Sequence, residues 1–322
     1  MERTRKLGKS ALLLGLVLML LMLVAACGEE DENLGAGANV PPTPTQAPAG
    51  TPTPQPIVHP QGDSEVVIKV EHTGGFVPQE YVVTRMPHFV LYGDGSVITQ
   101  GPQIEIYPAP ALPNLQQGFL TEEGIQMILE AARDAGLLDG DKQYDLDMIA
   151  DAATTVFTIS ADGETHTVSV YALGLGDDEI TNDMIPEDEV EARQKIAEFE
   201  GLLLDYTGWL PEEAIAETQG EYPFEALQVV AIPRDLYPSM DETVETGEMD
   251  WPLATPLAEM GEVYEFMDEA RCLVVDGEEL GTLVEALGDA NQQTTWLSAD
   301  SEYGLLLRPM LPDETGCLMP QM

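Results

Sequence analysis

The stretch DGDKQYDLD (139–147) sets oxygen-bearing side chains at alternate positions: Asp139, Asp141, Gln143, Asp145 and Asp147. Oxygens converging from a short loop are the ligand set that a calcium ion takes. Two positions depart from the usual calcium loop. Tyr144 stands where the turn needs glycine, and Ala150 stands where a bidentate glutamate belongs. A solvated helix-to-strand loop is the plainer reading; calcium held by Asp139, Asp141, Asp145 and Asp147 is the sharper one. The histidines are His59, His72, His88 and His166. Three of them, His72, His88 and His166, could meet as metal ligands, but they show no ligand spacing such as His-x-x-x-His, and strand and turn surfaces account for them. Nucleophilic catalysis needs a serine or cysteine beside an oriented base. The chain has no Gly-x-Ser-x-Gly elbow, and Ser96, Ser160 and Ser298 fall at expected hairpin turns. Gly174-Leu175-Gly176 lacks the third glycine of a dinucleotide loop, and Asp177, Asp178 and Glu179 would repel phosphate. With 58 acidic residues, no single pair of carboxylates is marked out for acid–base work. No catalytic residue and no organic cofactor follows from these motifs.

A different kind of chemistry is at the amino terminus. Arg3, Arg5, Lys6 and Lys9 precede an apolar run from Ala11 to Ala26, 16 residues broken only by Gly15. That is shorter than the roughly 20 residues of a membrane-spanning helix and has the layout of a secretory signal. Its end, Val24-Ala25-Ala26-Cys27, resembles the lipobox of bacterial lipoproteins. The resemblance implies a diacylglycerol on the Cys27 thiol, cleavage after Ala26, and a body tethered to the cell membrane on its extracytoplasmic face. An ordinary signal peptide or an uncleaved anchor are the alternatives. Residues 28–62 then hold eight prolines, many in Thr-Pro pairs, and almost no large apolar residue. Such a chain stays extended, with an outer reach of roughly 100 Å. Outside the cytoplasm the two remaining cysteines, Cys272 and Cys317, are expected to pair as a disulfide; free thiols or metal ligands are the competing readings.

Charge narrows the partners. Without residues 1–26 the chain has 9 basic against 57 acidic side chains, and its only lysines are Lys69, Lys142 and Lys195. A field of that sign repels nucleic acid and anionic head groups and favours cations or a basic protein. The acids cluster in 177–191, with eight acidic residues, and in 241–250, with five; both read as solvated loops or helix starts.

The elements that must position any site come next. EVVIKVEH (65–72) reads as a strand, HFVLYGDGSVIT (88–99) as a hairpin turning at Gly-Asp-Gly, and IEIYPAPALPNL (104–115) as a strand stopped by proline. A helix is expected from Thr121, its N-cap, to a left-handed stop at Gly136, with Ile125, Ile128, Leu129 and Ala132 on one face. TTVFTISADGETHTVSVYAL (154–173) is a second hairpin. A longer helix from about Pro186 to Tyr206 carries Ala192, Ile196, Phe199, Leu203 and Tyr206 as its apolar stripe. Downstream, LVVDG (273–277), VEALGDAN (284–291) and TTWLSAD (294–300) follow the order of VLYGDG, LEAARDAG and TTVFTISAD. One strand–helix–hairpin unit used twice would explain this, and so would chance between common elements. The expected fold is α+β, mainly antiparallel strands and hairpins packed by about three helices. The expected division is a leader (1–26), a lipidated cysteine and spacer (27–62), an α+β domain (63–220) and a second α+β part with the disulfide (221–322). Residues 65–175, through YGDG and GPQIEIYP, also resemble a set of secreted bacterial proteins without assigned activity. That resemblance implies structural turns and sheet edges there and no functional residue.

Two functions from different classes fit. The first is a lipid-anchored, extracytoplasmic acidic binding or scaffold protein without catalysis. The second is a membrane-tethered hydrolase using carboxylates with His88 or His166.

Overall fold

Proline placement decides where the first sheet can form. In the computed structural model, which describes residues 55–146, 148–174, 185–237 and 247–320, no strand forms between Gly101 and Asn114, where four prolines remove ladder donors. The expected strand at 104–115 is therefore an exposed loop, and GPQIEIYP is no sheet edge; pairing resumes at Leu115. Cys27, the leader, nearly all of the spacer, Asp147, and most of both acidic runs lie outside the described residues.

The first sheet has the order β5-β7-β6-β1-β2-β3-β4-β8. Its strands are β1 (Val66–Gly74), β2 (Phe89–Tyr92), β3 (Ser96–Gln100), β4 (Leu115–Leu120), β5 (Lys142–Tyr144), β6 (Ala153–Ala161), β7 (Glu164–Tyr171) and β8 (Ile215–Glu221). All neighbours are antiparallel except β5 and β7. The hairpin β6–β7 turns where sequence places it: Asp162 and Gly163 have φ of 53° and 82°, which a right-twisted two-residue turn requires. The continuous run Phe-Val-Leu-Tyr of β2 is apolar because both faces are covered. Phe89 and Leu91 enter one core cluster, Val90 and Tyr92 another.

Helices α1 (Gln79–Thr84), α2 (Glu122–Asp134), α3 (Glu187–Leu204) and α4 (Tyr206–Trp209) belong to this half. In α2 the Thr121 hydroxyl accepts from the Gly124 N–H at 3.3 Å, and Gly136 follows with φ 77°. Ile125, Ile128, Leu129 and Ala132 are buried as their spacing requires. The α3 stripe, Ile196, Phe199 and Leu203, packs on the same cluster and is not a coiled-coil seam.

The second sheet has the order β10-β13-β14-β9-β12-β11, from β9 (Ala226–Pro233), β10 (Glu248–Asp250), β11 (Glu262–Val263), β12 (Arg271–Asp276), β13 (Thr295–Ser298) and β14 (Ser301–Pro309). Only β10 and β13 run parallel. Alternate residues of β9 and β14 divide between the two faces. Val229, Ala231, Leu305 and Leu307 pack with Leu280, Leu283 and Leu287 of α5 (Gly277–Leu287), while Val230, Ile232 and Leu306 face Val83 of α1. Both halves contain a strand, a helix and a hairpin in that order, but they pair differently. The hairpin's first strand, β6, lies against β1 in one sheet; its last strand, β14, lies against β9 in the other. The fold is α+β, with two mostly antiparallel sheets and, among the described residues, five helices, none long and apolar enough to cross a membrane.

Pro54–Met322 is one compact unit. Residues 55–62, placed in the spacer by composition, belong to it. The Ile57 side chain is buried in the first core, its N–H donates to Gln126 Oε1 at 2.8 Å, and His59 is buried beside Glu122 of α2 at 3.2 Å. One buried Ile is enough to end an extended segment on a core face. The C-terminal segment 310–320 returns to the first sheet. Cys317 is bonded to Cys272 of β12, Asp313 accepts from Lys69 and from the Tyr92 hydroxyl, and Glu314 pairs with Arg308.

Candidate functional site

Two arrangements of side chains stand out, and α1 lies between them. Arg85, the residue that ends α1, donates to the carbonyls of His72 (2.9 Å) and Gly74 (3.0 Å) at the end of β1. Its own carbonyl accepts from Arg308 Nε of β14 at 3.2 Å. The Gln100 side-chain amide of β3 donates to the Met86 carbonyl at 3.1 Å. The short helix is thus fastened to both sheets. Opposite it, the proline loop 101–114 is pinned to the second half: Pro110 bridges to Asn291, and Gln292 N–H donates to the Ala109 carbonyl at 3.0 Å.

Between these fastenings runs a groove of about 450 Å³. One wall is Val77, Pro78, Tyr81 and Thr84, the other is Ala109 to Pro113, and Leu305, Leu306 and Leu307 of β14 lie at its base. The polar groups that reach it are mostly uncharged: Gln100, Gln103, Gln292, Gln293 and Tyr237, with Glu80 and Arg85 as the only charged residues. Tyr237 is fixed by donating to the Gln292 carbonyl at 2.9 Å, and burial pushes its hydroxyl up to about 12. Gly304 makes room for it, since a Cβ there would stand 2.1 Å from the Tyr237 ring. The segments that carry its walls also bear exposed apolar side chains: Phe76 is 88% exposed and Ile104 68%, and Tyr81, Ile106 and Tyr107 are each more than half exposed. Exposed large apolar side chains on two segments that continue into the walls of an apolar groove single it out as a candidate binding surface, above all on a chain with a net charge of −45.

The second arrangement is built where the chain enters β2. Val70 pairs with Phe89, and His88, just ahead of β2, still donates its N–H to the Val70 carbonyl at 2.8 Å; its ring lies beside that of His72 of β1, with centroids 3.9 Å apart. The α3 stripe that buries Phe199 and Leu203 leaves the intervening Glu200 at the rim of the same core, with its Oε1 3.6 Å from His72 Nε2. One donor atom from each of these three half-buried residues lies within 4.8 Å of the others, the only such group of metal-ligating side chains among the described residues. Burial first, then the neighbouring His72 and Arg85, lowers the His88 pKa below the ordinary imidazole value, against an upward pull from Glu200. His72 also lines a cavity of about 260 Å³ shared by Lys69, Glu71, Arg85, Arg308 and Glu314. Within it burial raises the Glu71 carboxyl above its usual range, although Lys69 and Arg308 oppose the shift.

The residues singled out from sequence are placed differently. Asp139 faces Lys142 at 3.4 Å, Asp141 accepts the Thr167 N–H at 2.7 Å, and Asp145 accepts from Gln143 at 2.9 Å. Among the described residues these three carboxylates do not form a ligand group, and Lys142–Tyr144 between them forms a strand on β7. His166 sits on β7 opposite Ile159, apart from the other histidines. His72 and His88, read from sequence as unremarkable surface positions, are brought together with a carboxylate. The signal was the way the chain enters β2 beside β1 after α1, which no spacing of two histidines reveals. The groove had a partial signal in its prolines, read only as chain breakers. Compared with known protein families, with curated proteins and with solved structures, the chain matches none.

Proposed function

We propose that the chain is a lipid-anchored, extracytoplasmic binding protein that holds an elongated, largely apolar and uncharged ligand segment in the groove between α1 and the proline loop. The observation that carries this reading is the groove itself. It couples apolar walls of about 450 Å³ with uncharged amide and hydroxyl groups. Apolar burial supplies affinity, and the few convergent polar groups fix orientation. Anionic ligands are disfavoured by the acidic field. Support for the location comes from the lipobox-like end of the leader at Cys27 and from the Cys272–Cys317 disulfide, which persists in oxidising compartments. A basic protein or cations would approach the remaining acidic surface, and nucleic acid would not.

Titration with the neutral fluorophore N-phenyl-1-naphthylamine tests the groove. The full chain should give saturable emission enhancement at one site, and Ala109→Trp, which fills the groove, should weaken it at least about tenfold, or 1.4 kcal/mol, with no loss of melting temperature. Non-saturable emission, or equal binding by the variant, would contradict the reading. The anchor has its own test. The intact mass of protein extracted from membranes should be that of a chain starting at a diacylglyceryl Cys27; an unmodified or unprocessed terminus would remove the anchor.

A further inference from the structure

We propose that His72, His88 and Glu200 form a binding site for a divalent transition-metal ion, with zinc as the best fit. This stands apart from the groove and does not depend on it.

Geometry carries the inference. The His72 Nε2 to Glu200 Oε1 separation of 3.6 Å is too long for a hydrogen bond, for which the usual N–H···O distance is about 2.9 Å. It is close to the spacing of two donors on one ion. Ligands about 2.0–2.2 Å from a tetrahedral zinc stand about 3.4 Å apart. The rings of His72 and His88, 3.9 Å between centroids and tilted 50° to each other, bring a second imidazole to the same place. Among the described residues neither ring has a hydrogen-bond partner, in contrast to His59, whose ring meets Pro60, Gln61 and Glu122.

The ligand types select the metal. Two imidazoles with one carboxylate suit zinc and its neighbours, whereas calcium and magnesium prefer all-oxygen shells. Three protein ligands leave a fourth position for water or an exchangeable group. The supporting elements are rigid: His72 lies on β1, Glu200 on α3, and the His88 N–H is tied to the Val70 carbonyl at 2.8 Å. An ion there would clip α3 to the first sheet.

The test must separate this site from adventitious binding by the 58 acidic side chains. Metal-free full-length protein is dialysed to equilibrium against zinc in a large excess of magnesium, which occupies exposed carboxylates. One equivalent of zinc should be retained, with a higher melting temperature than in chelator. His72→Ala and His88→Ala should each weaken retention by more than about 100-fold, beyond what loss of a mere outer-sphere partner causes, and abolish the zinc-dependent rise. His166→Ala should leave both unchanged. Cobalt in place of zinc should give the intense visible bands of a four-coordinate centre in the wild type alone. If either alanine variant fails to fold, Glu200→Gln keeps the shape and should still weaken zinc. Displacement of all zinc by magnesium, or equal retention by the histidine variants, would overturn the site. So would a wild type that retains none, which would leave His72 and Glu200 as a plain ion pair.

Discussion

Arg308→Met is expected to destabilise the protein by about 3–5 kcal/mol, seen as a fall of roughly 10 °C in melting temperature. Arg308 and Glu314 form a two-pronged pair, Nη1 to Oε2 at 2.6 Å and Nη2 to Oε1 at 2.7 Å, with side-chain exposures of only 7% and 10%. Glu314 also accepts the Leu311 N–H at 2.8 Å. Removing the guanidinium leaves that carboxylate buried without its cation, and the desolvation penalty then falls on the folded state alone. The same change frees the Arg85 carbonyl, so the residue that ends α1 loses its hydrogen bond to β14. The double change Arg308→Met with Glu314→Met should recover more than half of the loss, because no charge is then stranded. If the double variant is as unstable as the single one, the damage comes from lost shape and not from the orphaned carboxylate.

Loss of the disulfide should have an effect of similar size by a different route. Cys272 on β12 and Cys317 in the returning C-terminal segment are 45 residues apart in sequence. Closing a loop of that length restricts the unfolded chain by about 4 kcal/mol in the chain-entropy model. The bond also secures the segment that carries Asp313 and Glu314 to the first sheet. Cys317→Ser, or reduction of the native protein, should lower the melting temperature by roughly 10 °C and expose residues 310–320 to proteolysis. Equal melting temperatures with and without reductant would contradict both roles. The two predictions are not independent. A freed tail loosens the Arg308 pair, so their effects should sum to less than full additivity.

What the sequence disclosed and what it withheld have a common cause. Local chemistry was legible: Thr121 and Gly136 bound α2, and Asp162-Gly163 turns the β6–β7 hairpin, because caps and turns are decided by a few adjacent residues. The cysteine pairing was legible because only two candidates remained. Ile104 and Ile106 misled, since β-branched residues favour a strand while the flanking prolines remove its hydrogen bonds. Ile57 and His59 were hidden by the prolines around them, although they pack on α2. The meeting of His72, His88 and Glu200 depends on how the chain enters β2 beside β1 and on which face α3 buries. Those are non-local facts that no short motif encodes. The groove is non-local too, because α1, the proline loop and β14, which enclose it, are far apart in sequence.

The binding surface is tested most directly by locating a bound neutral ligand. A photoactivatable, uncharged naphthyl diazirine, irradiated with the full-length protein at saturating concentration, should attach to peptides containing residues 77–86 and 103–113, and N-phenyl-1-naphthylamine should compete it away. Label spread over the surface, or concentrated elsewhere and unaffected by the competitor, would show that the space between α1 and the proline loop holds no ligand.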